Sequence, residues 1–247
     1  MTSNQTALTG YPQIAAQGIW EEKSTALHTI GVYIETADGR GFRYAKVGAL
    51  ATVAGKVYQG TALDATNLQP TGGLGVSAAA AIGTYDVTIS TSITLTVNQL
   101  AGGYLSVNVT PGQGYLYKIR SNTAVTAATG AVITLDDPLQ IALTTSSKVI
   151  VAQHPYSGLV VEPGTPTAAI AGVAHRVTTA LYYGWTQTRG AASVLFTGTG
   201  VAGKAVGSLT GGTAGSCAPA IAATNIIGYH MATGITGEYA LINLTIG

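Results

Sequence analysis

The sequence predicts an all-β protein, an antiparallel sandwich or barrel-like fold with little helix and an extended N-terminal arm. Three observations carry this. Thirty-three glycines are spread through the 247 residues, and each costs a helix interior about 1 kcal/mol relative to alanine. Thr and Val dominate between them, and β-branched side chains suit a pleated, half-buried surface. Several short segments then alternate apolar and polar residues with a period of two, bounded by Gly, Pro, Asn and Asp, the pattern of strands with one buried face.

The first 28 residues are polar or small, with isolated Tyr11, Ile14, Ile19 and Trp20. They read as an arm that docks elsewhere, with Tyr11, Pro12 and Trp20 as its candidate anchors. "GVYIET" (31–36) and "GFRYAKVG" (41–48) flank Asp38-Gly39, a strong hairpin signal. "VSAAAAIG" (76–83) has room for a short helix, limited by Gly83. In "VTISTSITLTV" (87–97), Val87, Ile89, Ile93, Leu95 and Val97 share one face and Thr or Ser the other. "YLSVNV" (104–109) and "YLYKIR" (115–120) flank the turn "PGQG", and "AVITL" (131–135), "LQIAL" (139–143) and "KVIVAQ" (148–153) extend the series. Strands this close, joined by turns, argue for antiparallel pairing. Residues 160–175 carry Pro163, Gly164 and Pro166 and read as a linker. The expected division is therefore an arm at 1–28, a β domain at 29–163 and a second β part at 164–247.

Charge narrows the function. Eleven basic and ten acidic residues make 9% of the chain and a net charge of +1, against about 25% charged in an average domain. Such a balance supplies no field to attract a polyanion, so nucleic acid is not an expected partner. Residues 87–117 and 205–237 contain no Asp, Glu, Lys or Arg. A soluble monomer scatters both signs over its surface, so these stretches point to surfaces covered by other subunits; the alternative is that Thr, Ser and Asn solvate the strand faces. No run of about 18 apolar residues offers a membrane-spanning helix. The N-terminus lacks a basic start followed by an apolar run, and synthesis in the cytoplasm is the expectation.

The motifs argue against chemistry. "GTGVAGKA" (198–205) spells G-x-G-x-x-G and resembles a phosphate-binding loop. Such a loop needs a strand before it, a helix after it and Ser or Thr after the Lys. "SVLF" (193–196) supplies a strand, but Ala205 holds the hydroxyl position and glycines crowd residues 207–215. A dinucleotide site would also want an acidic residue about 20 positions on, where Asn225, Ile226 and Ile227 stand. A glycine-rich turn is the stronger reading. His28, His154, His175 and His230 have no metal-ligand spacing. Asp136 and Asp137 precede Pro138 and, as adjacent strand residues, face opposite ways. The single Cys217 lies among small residues and reads as buried and inert. No catalytic residue, metal or cofactor is assigned. Tyr182, Tyr183 and Trp185 form the densest aromatic cluster: either core packing or a stacking platform, with core the stronger reading.

Three segments, "FRYAKVGALATVAGKVYQ" (42–59), "LDDPLQIALTTSSKVIVAQHPYSGLVV" (135–161) and "YYGWTQTRGAASVLFTGTGVAGKAVG" (182–207), resemble parts of virion structural proteins from tailed bacteriophages. The most specific piece is aromatic-Gly-Trp-x-Gln-x-x-Gly, here Tyr183, Gly184, Trp185, Gln187 and Gly190. The resemblance implies a non-enzymatic, β-rich protein of the virion, most like a capsid decoration (cement) protein. Such a protein binds the major capsid protein and itself, commonly as a homotrimer. It implies no catalytic site. A tail-tube or fibre component shares the same composition and is the alternative. A cell-surface carbohydrate-binding module built on the Tyr-Trp cluster is the third reading.

Overall fold

The first hairpin forms where Asp38-Gly39 predicts it. In the computed structural model, which describes residues 17–62, 64–92, 94–126, 130–208, 212–221 and 224–247, β1 (Tyr33–Glu35) pairs antiparallel with β2 (Gly41–Val47). Gly39 turns between them at φ +81°. The remaining strands are β3 (Val57–Gln59), β4 (Leu74–Gly75), β5 (Asp86–Ser90), β6 (Tyr104–Val109), β7 (Leu116–Asn122), β8 (Gly130–Leu135) and β9 (Lys148–Ala152). They continue with β10 (Ser157–Val161), β11 (Ile170–Val173), β12 (Tyr183–Leu195), β13 (Thr199–Gly200), β14 (Ala205–Ser208), β15 (Cys217–Pro219), β16 (Ile226–His230), β17 (Gly234–Ile235) and β18 (Tyr239–Thr245). The described residues contain no helix, and all their strand pairs but β2–β10 are antiparallel.

The chain divides into two compact units, Met1–Thr61 with Pro155–Gly247, and Ala62–His154. The second is therefore inserted between β3 and β10 of the first. This differs from the linear division expected at residue 164. Pro163, Gly164 and Pro166 form a turn inside the first unit, because β10 before them and β11 after them both pair with β3. Proline and glycine mark a change of direction there, not a boundary between bodies.

In the first unit, pairing returns on itself twice. β2 pairs with β10, β10 with β3, β3 with β11, β11 with β12, and β12 with β2 again, a closed ring of five strands. Ala45, Tyr58, Leu159 and Ala171, from four of those strands, meet Ala174 in one buried cluster. So narrow a ring takes small side chains, and only a void of about 10 Å³ remains between Ala45, Leu159, Gly184 and Thr186. The second half of β12 then pairs with β18, which leads through β16 and β14 to β15. Cys217 of β15 pairs with Phe196, the residue after β12, so this layer also curls back. Val194, Phe196, Val206, Cys217, Ile227, Ile242 and Leu244 form its core. The period-two burial of β18, with Ala240, Ile242 and Leu244 inward, shows why these residues form a strand.

The second unit is a sheet in the order β4-β9-β6-β7-β8-β5. The Val76–Ile89 bridge and the Ser77 N–H to Thr88 O bond (2.9 Å) join its two outer strands. Closure of this kind reduces the unpaired edge that could recruit another chain. Val87 and Ile89, Leu105 and Val107, Tyr117 and Ile119, Ala131, Ile133 and Leu135, and Val149 and Val151 supply the buried faces that the alternation predicts. The pattern overreaches in three places. Ile93 lies outside the described residues, and residues 91, 92 and 94–97 belong to no strand: Leu95 makes a single bridge to Val125 and is buried, but Val97 is exposed. The Asn122 side chain holds that turn, accepting from the Leu100 N–H (2.8 Å) and donating to Thr96 O (2.9 Å). Residues 139–143 and 76–83 are extended connections; Leu143 and Ala80 pair with each other, and no helix forms.

Close approach makes one glycine irreplaceable. Gly172 of β11 has φ +143°, and a Cβ there would lie 2.5 Å from Gln187 O. Gly172→Ala is expected to lower stability by about 2–3 kcal/mol through strain and displaced ring pairing. Gly75→Ala, where a Cβ meets nothing within 4 Å, should change it by less than about 0.5 kcal/mol. Denaturant unfolding of the two variants against the parent measures the contrast.

Candidate functional site

The glycine-rich stretch is a turn between strands. β13 leads through residues 201–204 into β14, with no helix to present amides. The Gly203 N–H donates to His230 O (2.8 Å), the Lys204 N–H to Val201 O (3.1 Å) and the Gly198 N–H to Thr236 Oγ1 (2.7 Å). These donors are occupied within the fold. Gly200 is needed because a Cβ there would strike the His230 ring.

The titratable groups stay apart. Among the described residues no three His, Cys, Asp or Glu side chains converge as a metal site. His28 packs on Tyr44 and Trp185, His175 on Trp20 and Phe42, His230 on Phe196, and His154 on Tyr104. Burial lowers the pKa of His28 and His230 and takes His175 down to about 4. Asp136 pairs with Lys118 (3.8 Å) and Arg120 (3.4 Å), which makes it a surface ion-pair member beside the turn. Cys217 is fully buried, and burial pushes its thiol up to about 12, far from a reactive thiolate.

Of the Tyr-Trp cluster, Trp185 is core, Tyr183 packs half-buried against it, and Tyr182 is half-buried. Trp185 is 5% exposed and packs with Phe42 and Tyr44. Residues 17–28 close over it. Gln17, itself buried, accepts the Trp185 Nε1–H at its carbonyl (2.9 Å) and the Tyr44 hydroxyl at Oε1 (2.7 Å). Its Nε2 donates to Tyr183 O (2.9 Å) and Glu21 O (3.0 Å). Lys23 and Tyr183 exchange backbone hydrogen bonds, and Glu22 accepts from the Thr179 N–H and hydroxyl. Thus the described part of the expected arm docks on its own unit. Of its three candidate anchors, Tyr11 and Pro12 lie outside the described residues, and Trp20 stands exposed by 62%.

Trp20 borders a cleft of about 380 Å³ that no sequence motif announces. Tyr239, from the start of β18, stands on the lining with it; Gln187 and Ser193 of β12, His175 and Arg40 complete the part that bears polar groups. They come from several separate stretches of chain, so no local spacing could have found the site. The backbone behind Trp20 is held by His175 Nε2 on Ile19 O (2.6 Å) and Arg176 on Trp20 O (2.6 Å). The Tyr239 ring lies over Gly55, where any Cβ would collide with it.

A second feature lies in the uncharged stretch 205–237. Ile226 and Tyr229 of β16 and Met231 after it are about half exposed, as is Leu241 on the neighbouring β18. The Met231 N–H bonds Leu241 O (2.9 Å), Tyr229 stands opposite the exposed Asn243, and the inner side of this layer is the Phe196 core. Comparison with family models, with curated proteins and with solved structures finds no match to this chain.

The histidines make stability acid-sensitive. A group whose folded pKa is depressed contributes stability above its unfolded value, and that contribution is lost as pH falls through the folded one. For His175 the window runs from 6.5 down to about 4, and its loss amounts to about 3 kcal/mol. Glu162 works in the opposite sense. It is fully buried, neither carboxylate oxygen has a hydrogen-bond partner, and burial raises its pKa above 4.5 despite the nearby Gly164 N–H. Its contribution is present below 4.5 and lost as pH rises through the raised value. Thermal unfolding between pH 4 and 8 should show a falling Tm below pH 6.5 that flattens in His175→Gln, and a higher Tm at neutral pH in Glu162→Gln.

Proposed function

We propose that this chain is a non-enzymatic structural subunit of a bacteriophage virion, binding the outer surface of the capsid as a decoration protein and associating with itself as a homotrimer. The observation that carries the reading is the uncharged apolar surface of Ile226, Tyr229, Met231 and Leu241. Exposed apolar residues on one side of a layer, with Met231 and Leu241 as direct neighbours, support an interaction surface, and uncharged side chains there oppose neither a second copy nor a capsid of either sign. The virion assignment itself comes from the resemblance of the Tyr183–Gly190 stretch and its flanking segments. Strand rings with few open edges suit a protein that withstands mechanical load while resisting uncontrolled edge pairing. Many copies on one lattice then hold through multivalency even where each contact is weak. The reading calls for no cofactor, metal, nucleic acid or membrane.

The tail-tube or fibre reading draws on a different observation. The second unit also exposes apolar residues in its uncharged stretch, Val97 by 64% and Leu116 by 63%. A second contact unlike the first, made through either of these residues, favours head-to-tail association, which grows into open assemblies unless its rotation closes.

Light scattering over a range of concentrations separates the two. A decoration protein stops at a trimer, and a tube or fibre subunit continues to grow. Tyr229→Glu combined with Leu241→Lys should shift the trimer to monomer and lower binding to undecorated capsids at least about tenfold, the effect of about 1.4 kcal/mol at an interface. A parent protein that remains monomeric and ignores capsids overturns the proposal.

A further inference from the structure

We infer that the cleft between Trp20 and Tyr239 is a binding site for a neutral saccharide, stacked on the two aromatic rings. The inference stands apart from the virion reading and uses none of Ile226, Tyr229, Met231 and Leu241.

Two large aromatic side chains stand unburied at the lining of one concavity, Trp20 by 62% and Tyr239 by 52%. Neither is needed for the core, yet both are held in place. The Trp20 ring meets His175 edge-on at 5.0 Å between centroids, and its backbone carbonyl is fastened by Arg176. Tyr239 rests on Gly55. Rigid, exposed rings bordering a cavity of about 380 Å³ meet the general description of a preformed small-ligand site, where apolar surface gives affinity and a few polar groups set orientation.

The polar groups select the ligand class. The Gln187 side chain donates to Arg189 O (3.0 Å) and Ala191 O (2.8 Å), which occupies its Nε2 donors and leaves Oε1 to accept. Ser193 offers a hydroxyl, which donates and accepts. Arg40 gives its Nε–H to Asp38 (2.7 Å), so its charge is balanced while its terminal N–H groups remain as donors. His175 is neutral, held in that state by its surroundings. The cleft is therefore close to neutral and mixes acceptors with donors. A phosphorylated ligand would find Arg40 already paired with Asp38, and Arg176, which holds Trp20 O, paired with Glu22. A proline-rich peptide presents carbonyls without N–H groups and would leave the Gln187 acceptor unmatched. A sugar ring has an apolar C–H face for stacking and hydroxyls that both donate and accept around its rim, which matches each part of the lining.

The test uses the full chain and three probes, maltotriose, cellotriose and chitotriose, followed by tryptophan fluorescence and saturation-transfer NMR. Trp185 is buried, so a ligand in the cleft reports through Trp20. At least one trisaccharide is expected to shift the emission to the blue and bind with a Kd on the order of 1 mM or tighter. Trp20→Ala and Tyr239→Ala should each weaken it about tenfold or more, and Trp20→Phe should retain most of it. Unchanged Tm in these variants shows that the loss is local. No binding by any of the three sugars, binding indifferent to both alanine variants, or binding of an oligoproline peptide in place of the sugars overturns the inference. The oligomer and capsid assays read independently: a protein that trimerises on capsids without taking sugar loses this inference alone, and one that takes sugar without binding capsids loses only the virion reading.

Discussion

The larger unit depends on one strand being hydrogen-bonded in two different neighbourhoods. β12 pairs with β2 from Tyr183 to Arg189 and with β18 from Arg189 to Leu195. At Gln187 it also meets Val173 of β11. The first half thereby completes the five-strand ring, and the second half starts the layer that ends at Cys217. The register shift between Gln187 and Arg189 and the positive φ of Gly190 mark the change of partner. A bulge that bends and twists a strand is the local means by which one segment serves two sheets. Without that continuity neither the barrel cluster around Leu159 nor the core around Phe196 would be enclosed.

Enclosure has a polar cost that the segment from Gln17 to His28 offsets. The outer face of β2 and β12 presents Phe42, Tyr44 and Trp185, whose hydroxyl and indole N–H would be stranded if covered by apolar residues alone. Gln17 meets both and returns its own donors to backbone carbonyls. The Tyr44 hydroxyl and the Trp185 indole N–H are therefore buried with partners, whereas the ring nitrogens of His28 beside them have none. The same docking places Trp20 at the lining of the cleft. Covering one aromatic group and exposing another are two results of a single packing event.

The inserted unit obeys a simpler rule. Residues 62–154 carry their own core and their own ring, and they leave and rejoin the host between β3 and β10. Insertion at a connection between strands is tolerated because loop length costs little entropy and the host pairing of β3 with β10 is preserved. Both units expose apolar residues within their uncharged stretches, Ile226, Tyr229 and Met231 in one and Val97 and Leu116 in the other.

The sequence by itself determined what is local: the scarcity of helix, the hairpin at Asp38-Gly39, the inward faces of β5, β8 and β9, and the turn character of residues 198–205. Each comes from propensity or from period-two alternation, which needs only near neighbours. Alternation reports which face of a strand is buried and not what it pairs with. It therefore runs past Ser90 into a turn held by Asn122, and it makes the Pro-Gly-Pro stretch after β10 look like a boundary. Only the tertiary structure decided that β2 meets both β10 and β12, that Trp185 lies under Gln17, and that Trp20 and Tyr239 border one cleft. Those partners are far apart along the chain, and the free energy that brings them together belongs to ring closure and shared burial, terms that no window of sequence contains.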